Sequence, residues 1–290
     1  MRQHGVVASA AGLVPFGHLG WGFRDRAEFR KCAAEYIADG LAQNQRVEYT
    51  GEGSRDELWA ELATMPGTAG HLDDGGIRVT PVLEFHGADG SDIVDPQTAV
   101  ATRIAALEKA IDHGYTGLRA VVDATALARR PDQRDAFACF EFLIDQQMAM
   151  RPVSTLHGYD TSQLGDEAVG LVCLHPYVCQ SGPTFQLYAD PQSGFALAGE
   201  IDAASDHVFA TALRRIWPLA GDDTVVIDAQ QLEFIAHQQL QTLDHYARTT
   251  GRKVVLRTDQ RIPTRLAGLL ELTNVRVEPP DVFNDDEAAT

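Results

Sequence analysis

Basic charge is scarce in this 290-residue chain: lysine and arginine together number 24 against 41 aspartates and glutamates, for a formal net charge of −17. Nucleic-acid readers present a basic stripe to the phosphates, and no segment here supplies one, so DNA or RNA is not an expected partner. Long apolar runs are missing too; none approaches the ~20 residues needed to cross a bilayer. Met1-Arg2-Gln3-His4 leads only into a weak apolar patch broken by Pro15, which is not the pattern of a signal peptide. A cytoplasmic protein with no membrane partner is expected. Cysteine is limited to Cys32, Cys139, Cys173 and Cys179, none in a C-x-x-C arrangement, and a chain of this size needs no disulfide staples. They are expected as reduced thiols, with Cys32 and Cys173 buried. Catalytic signatures are also lacking. There is no G-x-x-x-x-G-K-[ST] phosphate loop and no Gly-x-Ser-x-Gly elbow, and Gly51-Glu52-Gly53-Ser54 is a turn. Phosphoryl transfer would lack its main electrostatic clamp.

What is present is the composition of a folded protein, 44% hydrophobic and 22% charged, long enough for two domains. Apolar periodicity predicts a strand over 16–23 and an amphipathic helix over 26–43, with Phe29, Cys32, Ala33, Tyr36, Ile37 and Leu41 on one face. A strand over 46–49 follows, then a helix opened by the capping-box spacing of Ser54 and Glu57. Further strands are predicted over 77–85, 118–122, 152–156 and 169–174, with helices over 96–113 and 136–147. Strands alternating with helices imply α/β layers around a mainly parallel sheet. Ser181-Gly182-Pro183 is the best boundary. Beyond it come short strands over 185–188 and 195–198, a helix over 203–217, strands over 225–227, 253–257 and 275–277, and a helix over 263–270. The acidic tail 281–290 is expected to be frayed.

The first part resembles the MEDS family of sensory domains, which is related to the KaiC/RecA-like ATPase core. The matching residues are Gly17-His18-Leu19-Gly20-Trp21-Gly22-Phe23, Tyr36-Ile37-Ala38-Asp39-Gly40-Leu41, Arg46-Val47-Glu48-Tyr49, and Gly114-Tyr115-Thr116-Gly117-Leu118-Arg119. Leu156-His157-Gly158-Tyr159-Asp160 and His175-Pro176 complete the set. The resemblance implies a RecA/KaiC-like α/β sandwich over 1–182, here without a Walker A loop, that senses a small molecule or signal. Two departures concern cysteine: the family's His-x-Cys is His18-Leu19-Gly20 here, and a cysteine common before Tyr-Asp is replaced in His157-Gly158. An organic ligand is expected along the sheet's carboxyl edge, with Trp21 and Tyr159 as walls and Arg119 and Asp123 as polar contacts. Arg119 could equally be tied to Asp123 or Asp160. His18, His157 and His175 sit at the same predicted edge and complete the candidate site. Without fixed ligand spacing they read as satisfied polar residues rather than as a metal site, so no metal or other cofactor is expected.

The stretch Thr224 to Leu243 runs from an apolar strand ending on Asp228, through Phe234-Ile235, to Leu240 and Leu243 at helical spacing. Together with Gly199-Glu200-Ile201-Asp202, Gly251-Arg252-Lys253-Val254-Val255-Leu256 and Leu269-Leu270-Glu271-Leu272, it resembles the STAS domain of anti-sigma-factor antagonists, over about 183–280. That implies a mixed β-sheet with helices. The partner-binding loop would be Ala236, His237, Gln238 and Gln239, with Gln238 at the place of the family's phosphorylated serine. Glutamine takes no phosphoryl group, so the switch is missing. The expected function is a bacterial signalling regulator without catalysis, a sensor coupled to a STAS domain that binds an anti-sigma factor or another signalling protein. The alternative is a KaiC-like nucleotide- or metal-binding enzyme with an appended STAS module. Self-association into a homo-oligomer is left open.

Overall fold

The computed structural model describes residues 3–13, 17–73, 75–87, 92–221 and 223–280. The fold is mixed α/β, with one large parallel sheet and a second, mixed sheet. The first sheet uses β1 (Gly5–Val7), β2 (His18–Phe23), β3 (Arg46–Gly51), β4 (Ile77–Pro81), β5 (Leu118–Asp123), β6 (Val153–Asp160) and β7 (Tyr177–Cys179). Their order across the sheet is β1-β7-β2-β6-β5-β3-β4, and every neighbouring pair is parallel. Parallel strands need crossovers, and the helices that supply them cover both faces.

Local chemistry starts these helices where the chain leaves a strand. The Asp25 carboxylate accepts from the Ala27 N–H at 2.9 Å and opens α1 (Arg26–Ala42). Ser54 and Glu57 form a reciprocal capping box on α2 (Arg55–Ala63). After two short helices, α3 (Ala69–Asp73) and α4 (Val82–Phe85), Asp95 caps α5 (Pro96–Asp112), with Pro96 in its first turn. Proline also opens α6 (Pro131–Met148). The short α7 (Thr161–Leu164) and α8 (Asp166–Val172) lead into β7.

Two predicted strands need correction. The apolar run at 77–85 stops being strand at Pro81, which has no N–H for the ladder, and continues as α4. The run at 169–174 forms the end of α8 rather than a strand, and the strand that closes this part of the sheet is the shorter β7. The predicted frayed tail lies outside the described residues, as does Pro15. Among the described residues no helix is long and apolar enough to cross a membrane.

The second sheet follows at once, with β8 (Phe185–Asp190) antiparallel to β9 (Gly194–Ile201). After α9 (Asp206–Ile216) come β10 (Thr224–Asp228), β11 (Leu232–Ile235), α10 (His237–Thr250), β12 (Lys253–Arg257), α11 (Arg261–Leu269) and β13 (Val275–Glu278). The order is β11-β9-β10-β12-β13, with β8 beside β9. Each sheet draws its strands from one side of the expected 182/183 boundary, but the core does not divide there. One contiguous buried cluster includes Val153, Leu171 and Val178 together with Phe185, Leu197, Phe209 and Ile227. A second cluster, including Leu19, Phe29, Tyr36 and Leu156, lies between α1 and the other face of the first sheet. Helix α6 is the shared wall: it packs on β6 and α5 on one side and on β8 and α9 on the other. Asp135 on this helix pairs with Arg214 at 3.0 Å and Arg215 at 2.8 Å on α9.

Gly117 shows how closely the first sheet is built. Its carbonyl accepts from the Arg46 N–H and the Pro152 carbonyl accepts from the Leu118 N–H, both at 2.9 Å, so a Cβ at 117 would press on the Pro152 oxygen. Gly117→Ala should lower stability by about 1–3 kcal/mol, as overpacking does. The urea midpoint should fall with an unchanged slope, and an unchanged midpoint would refute this account of the contact.

Candidate metal centre beneath the first sheet

Side chains of a strand alternate between faces, so parity decides which of the candidate residues can meet. In β2, His18, Gly20 and Gly22 point to one face, and their register partners in β6 are Thr155, His157 and Tyr159. This face looks toward α6. Gly20 matters here because a Cβ would lie 2.8 Å from the His175 ring. The glycine, where the resembled pattern carries cysteine, therefore seats His175, which arrives from the turn between α8 and β7. Opposite them, α6 turns Phe137, Phe140, Glu141, Ile144, Asp145 and Met148 inward. Glu141 and Asp145 are one helical turn apart and wholly buried.

The polar atoms converge on one point. Glu141 Oε2 lies 3.1 Å from His18 Nε2, 2.8 Å from His157 Nδ1 and 3.5 Å from His175 Nε2. His157 Nδ1 is also 3.0 Å from His18 Nε2 and 3.3 Å from His175 Nε2. Around this centre the outward atoms are engaged as well. His18 Nδ1 meets Asp145 Oδ1 at 2.9 Å, and the Tyr159 hydroxyl donates to Glu141 Oε1. His175 Nδ1 faces the Leu171 and Val172 carbonyls, each at 3.2 Å. Carbonyls only accept, so His175 carries its proton on Nδ1 and turns the Nε2 lone pair inward.

Burial alone would pull the His18 pKa down, but its hydrogen bonds to Asp145 and Glu141 outweigh that and raise it. Burial dominates at His157, whose pKa falls to about 4, and it lowers His175 as well. At Glu141 burial works upward, and the imidazoles around it hold its pKa well below the usual carboxylate range. The Tyr159 phenol, buried against that carboxylate, is pushed well up and stays a donor. His18, Glu141, His157 and His175 each offer one atom within 4.8 Å of the others, an arrangement able to hold a metal ion.

The sequence placed seven residues at one edge, and the structure separates them. His18, His157, His175 and Tyr159 meet under the sheet. Trp21, Arg119 and Asp123 have the opposite parity and lie on the α1 face. His18 is the first residue of β2 and His157 lies inside β6, so the cluster is not at the carboxyl edge. That edge is occupied by the protein's own ion pairs: Arg26 binds Asp123 and Glu61, and Arg129 grips Glu52 at 2.6 Å. Arg119 bonds neither Asp123 nor Asp160 in the hydrogen bonds described. Its Nε donates to Gln45 Oε1 at 2.6 Å and its guanidinium stacks on Tyr36, with Gly40 leaving room for its stem. Asp160 instead caps α7. The residues that sequence reasoning missed are Glu141 and Asp145. Their signal was available as two acidic residues four apart on the apolar face of a predicted helix.

The closed polar centre lies wholly within the unit built on the first, parallel sheet. The family profile for MEDS, the MEthanogen/methylotroph, DcmR Sensory domain, matches residues 17–176, more than half of the chain, and the chain belongs to that family. All four groups of the cluster fall within the matched span. No curated protein matches the chain. The match to a sensory domain gives the protein a sensory, signalling role.

Arg119→Ala tests whether this residue serves the fold. The change would strand a buried acceptor on Gln45, which costs about 1–3 kcal/mol before any cavity is counted. A clear drop in the denaturation midpoint is expected, and an unshifted midpoint would return Arg119 to the ligand contacts.

Proposed function

We propose that the protein is a cytoplasmic, non-catalytic signalling regulator, in which the centre around His18 and Glu141 is the sensing element and the second sheet is the output. The observation that carries this reading is Asp145. One carboxylate oxygen meets His18 Nδ1 at 2.9 Å and the other accepts from the Ala189 N–H of β8, also at 2.9 Å. A change in what the centre binds repositions His18. Through Asp145 it then bears on the strand that opens the second unit, so the two states differ in a named contact, as coupling requires.

The second unit is read as a STAS domain that docks an anti-sigma factor or a related regulator. Its motifs support that reading, as does α10 beginning at His237 beside β11. In this reading the docking surface excludes Gln239. Gln239 is buried, its amide donating to the Asp202 carbonyl at 3.2 Å and to Asp206 at 3.0 Å, and so it supports the loop from within. His237 is exposed, Gln238 is partly so, and Phe234 nearby is 41% exposed. Gln238 offers no hydroxyl, so docking here is not released by phosphorylation at that position. The KaiC-like enzyme alternative draws on the same buried centre. Against it stands the closure of that centre, since catalytic metal sites keep a position open to substrate.

Two measurements test this. The full chain should form a complex with a kinase-type anti-sigma factor that ATP does not dissolve, and His237→Glu should weaken it about tenfold, or about 1.4 kcal/mol. A panel of such factors yielding no complex removes the output assignment. For the link, Asp145→Ala should speed amide hydrogen exchange at Ala189 by about tenfold or more, because a hydrogen bond to a charged acceptor contributes about 1.5–3 kcal/mol. Unchanged exchange would mean that the bridge carries no coupling.

A further inference from the structure

We propose that His18, His157, His175 and Glu141 bind one divalent transition-metal ion of the zinc class in a closed, four-coordinate site, and that this ion is what the protein senses. The proposal rests on the reading of the cluster as the sensing centre and supplies its ligand.

Four ligands about 2.0–2.1 Å from a tetrahedral ion lie roughly 3.3–3.4 Å from one another. The measured separations, His18 Nε2 to Glu141 Oε2, His18 Nε2 to His157 Nδ1, His157 Nδ1 to Glu141 Oε2, His157 Nδ1 to His175 Nε2 and His175 Nε2 to Glu141 Oε2, run from 2.8 to 3.5 Å. A cation at the centre needs the ligands at these five pairs to shift by a few tenths of an ångström, and all four ligand atoms already lie within 4.8 Å of one another. A core of merely satisfied polar groups would pair donors with acceptors. Here three imidazole nitrogens and a carboxylate oxygen crowd round one point, more ligand atoms than one hydrogen bond needs.

The second layer is that of a metal site. His18 is held by a carboxylate, His175 by backbone carbonyls and Glu141 by a phenol, each from the side away from the centre. Such partners orient the ligands and fix their tautomers. Charge points the same way. A divalent ion ligated by neutral imidazoles would offset the Glu141 carboxylate, which does not touch water.

The donor set selects the ion. Three nitrogens and one oxygen suit Zn2+ and its neighbours, whereas Mg2+ and Ca2+ want six or more oxygens and thiophilic ions want sulfur. Four protein ligands at 1% exposure or less leave no coordination position for an organic effector, so the bound species is the ion itself. Binding fixes His18, hence Asp145 and the start of β8.

The test uses the full chain, stripped with a chelator and titrated with Co2+. One equivalent should bind with the intense visible bands of four-coordinate cobalt, Zn2+ should displace it, and the melting temperature should rise on loading. His157→Asn and Glu141→Gln should each lose at least about tenfold in affinity, and Asp145→Asn, outside the coordination sphere, about 10–100-fold. Should a variant fail to fold by circular dichroism, the wild-type cobalt spectrum still decides. A folded wild-type chain that takes up neither Co2+ nor Zn2+, that gives only the weak bands of six-coordinate cobalt, or that binds unchanged in a folded His157→Asn chain overturns the site. Metal uptake without any anti-sigma complex leaves the site standing and removes the output reading. A complex formed by a chain that binds no metal does the reverse.

Discussion

Two carboxylates, Glu141 and Asp145, sit in the middle of this molecule without touching water. An ionised carboxylate taken out of water costs several kcal/mol even after the surroundings relax, and only well-placed partners offset it. Much of the architecture answers that requirement. Strand β2 brings His18, β6 brings His157 and Tyr159, the turn before β7 brings His175, and β8 brings the Ala189 amide. Helix α6 is thus more than a crossover between strands. It carries the charge around which both sheets are positioned, and Phe137, Phe140, Ile144 and Met148 on the same face close the space against solvent.

Most elements were legible because their signals are local. The strand over 253–257 was read residue for residue, and the Ser54 capping box announces α2 by spacing alone. Errors came where local pattern is ambiguous. A six-residue apolar run such as 169–174 fits a buried strand or a buried helix end equally well, and its neighbours settled it as helix. β1 and β7 have three residues each and form only through distant partners, Gly5 pairing with Tyr177, Val7 with Cys179, and β7 also with β2. No window of sequence holds both.

The site was half legible for a related reason. Its three histidines were visible as chemistry, but their meeting depends on register between β2 and β6 and on the room left at Gly20. Parity within β2 already puts Trp21 on the opposite face from His18, so these two do not share a face of the sheet. Glu141 and Asp145 stayed hidden because an acidic residue on a helix is by default solvated, and only its place among phenylalanines says otherwise. The family match and the cluster agree in location, since residues 17–176 contain every group involved. In the second unit Gln239, near the start of α10, is buried, and its amide donates to the Asp202 carbonyl and to Asp206.

Signalling proteins commonly trade their parts as cassettes strung on flexible connectors, each part packing for itself. The shared interior described above forbids that commerce here. Only residues 180–184 separate the last strand of one sheet from the first of the other, and the Phe142 and Phe195 rings meet, tilted, with centroids 4.8 Å apart across the seam. Neither half can be grafted onto a foreign partner without laying open a raw apolar wall, because the buried cluster that both halves fill would lose one of its sides.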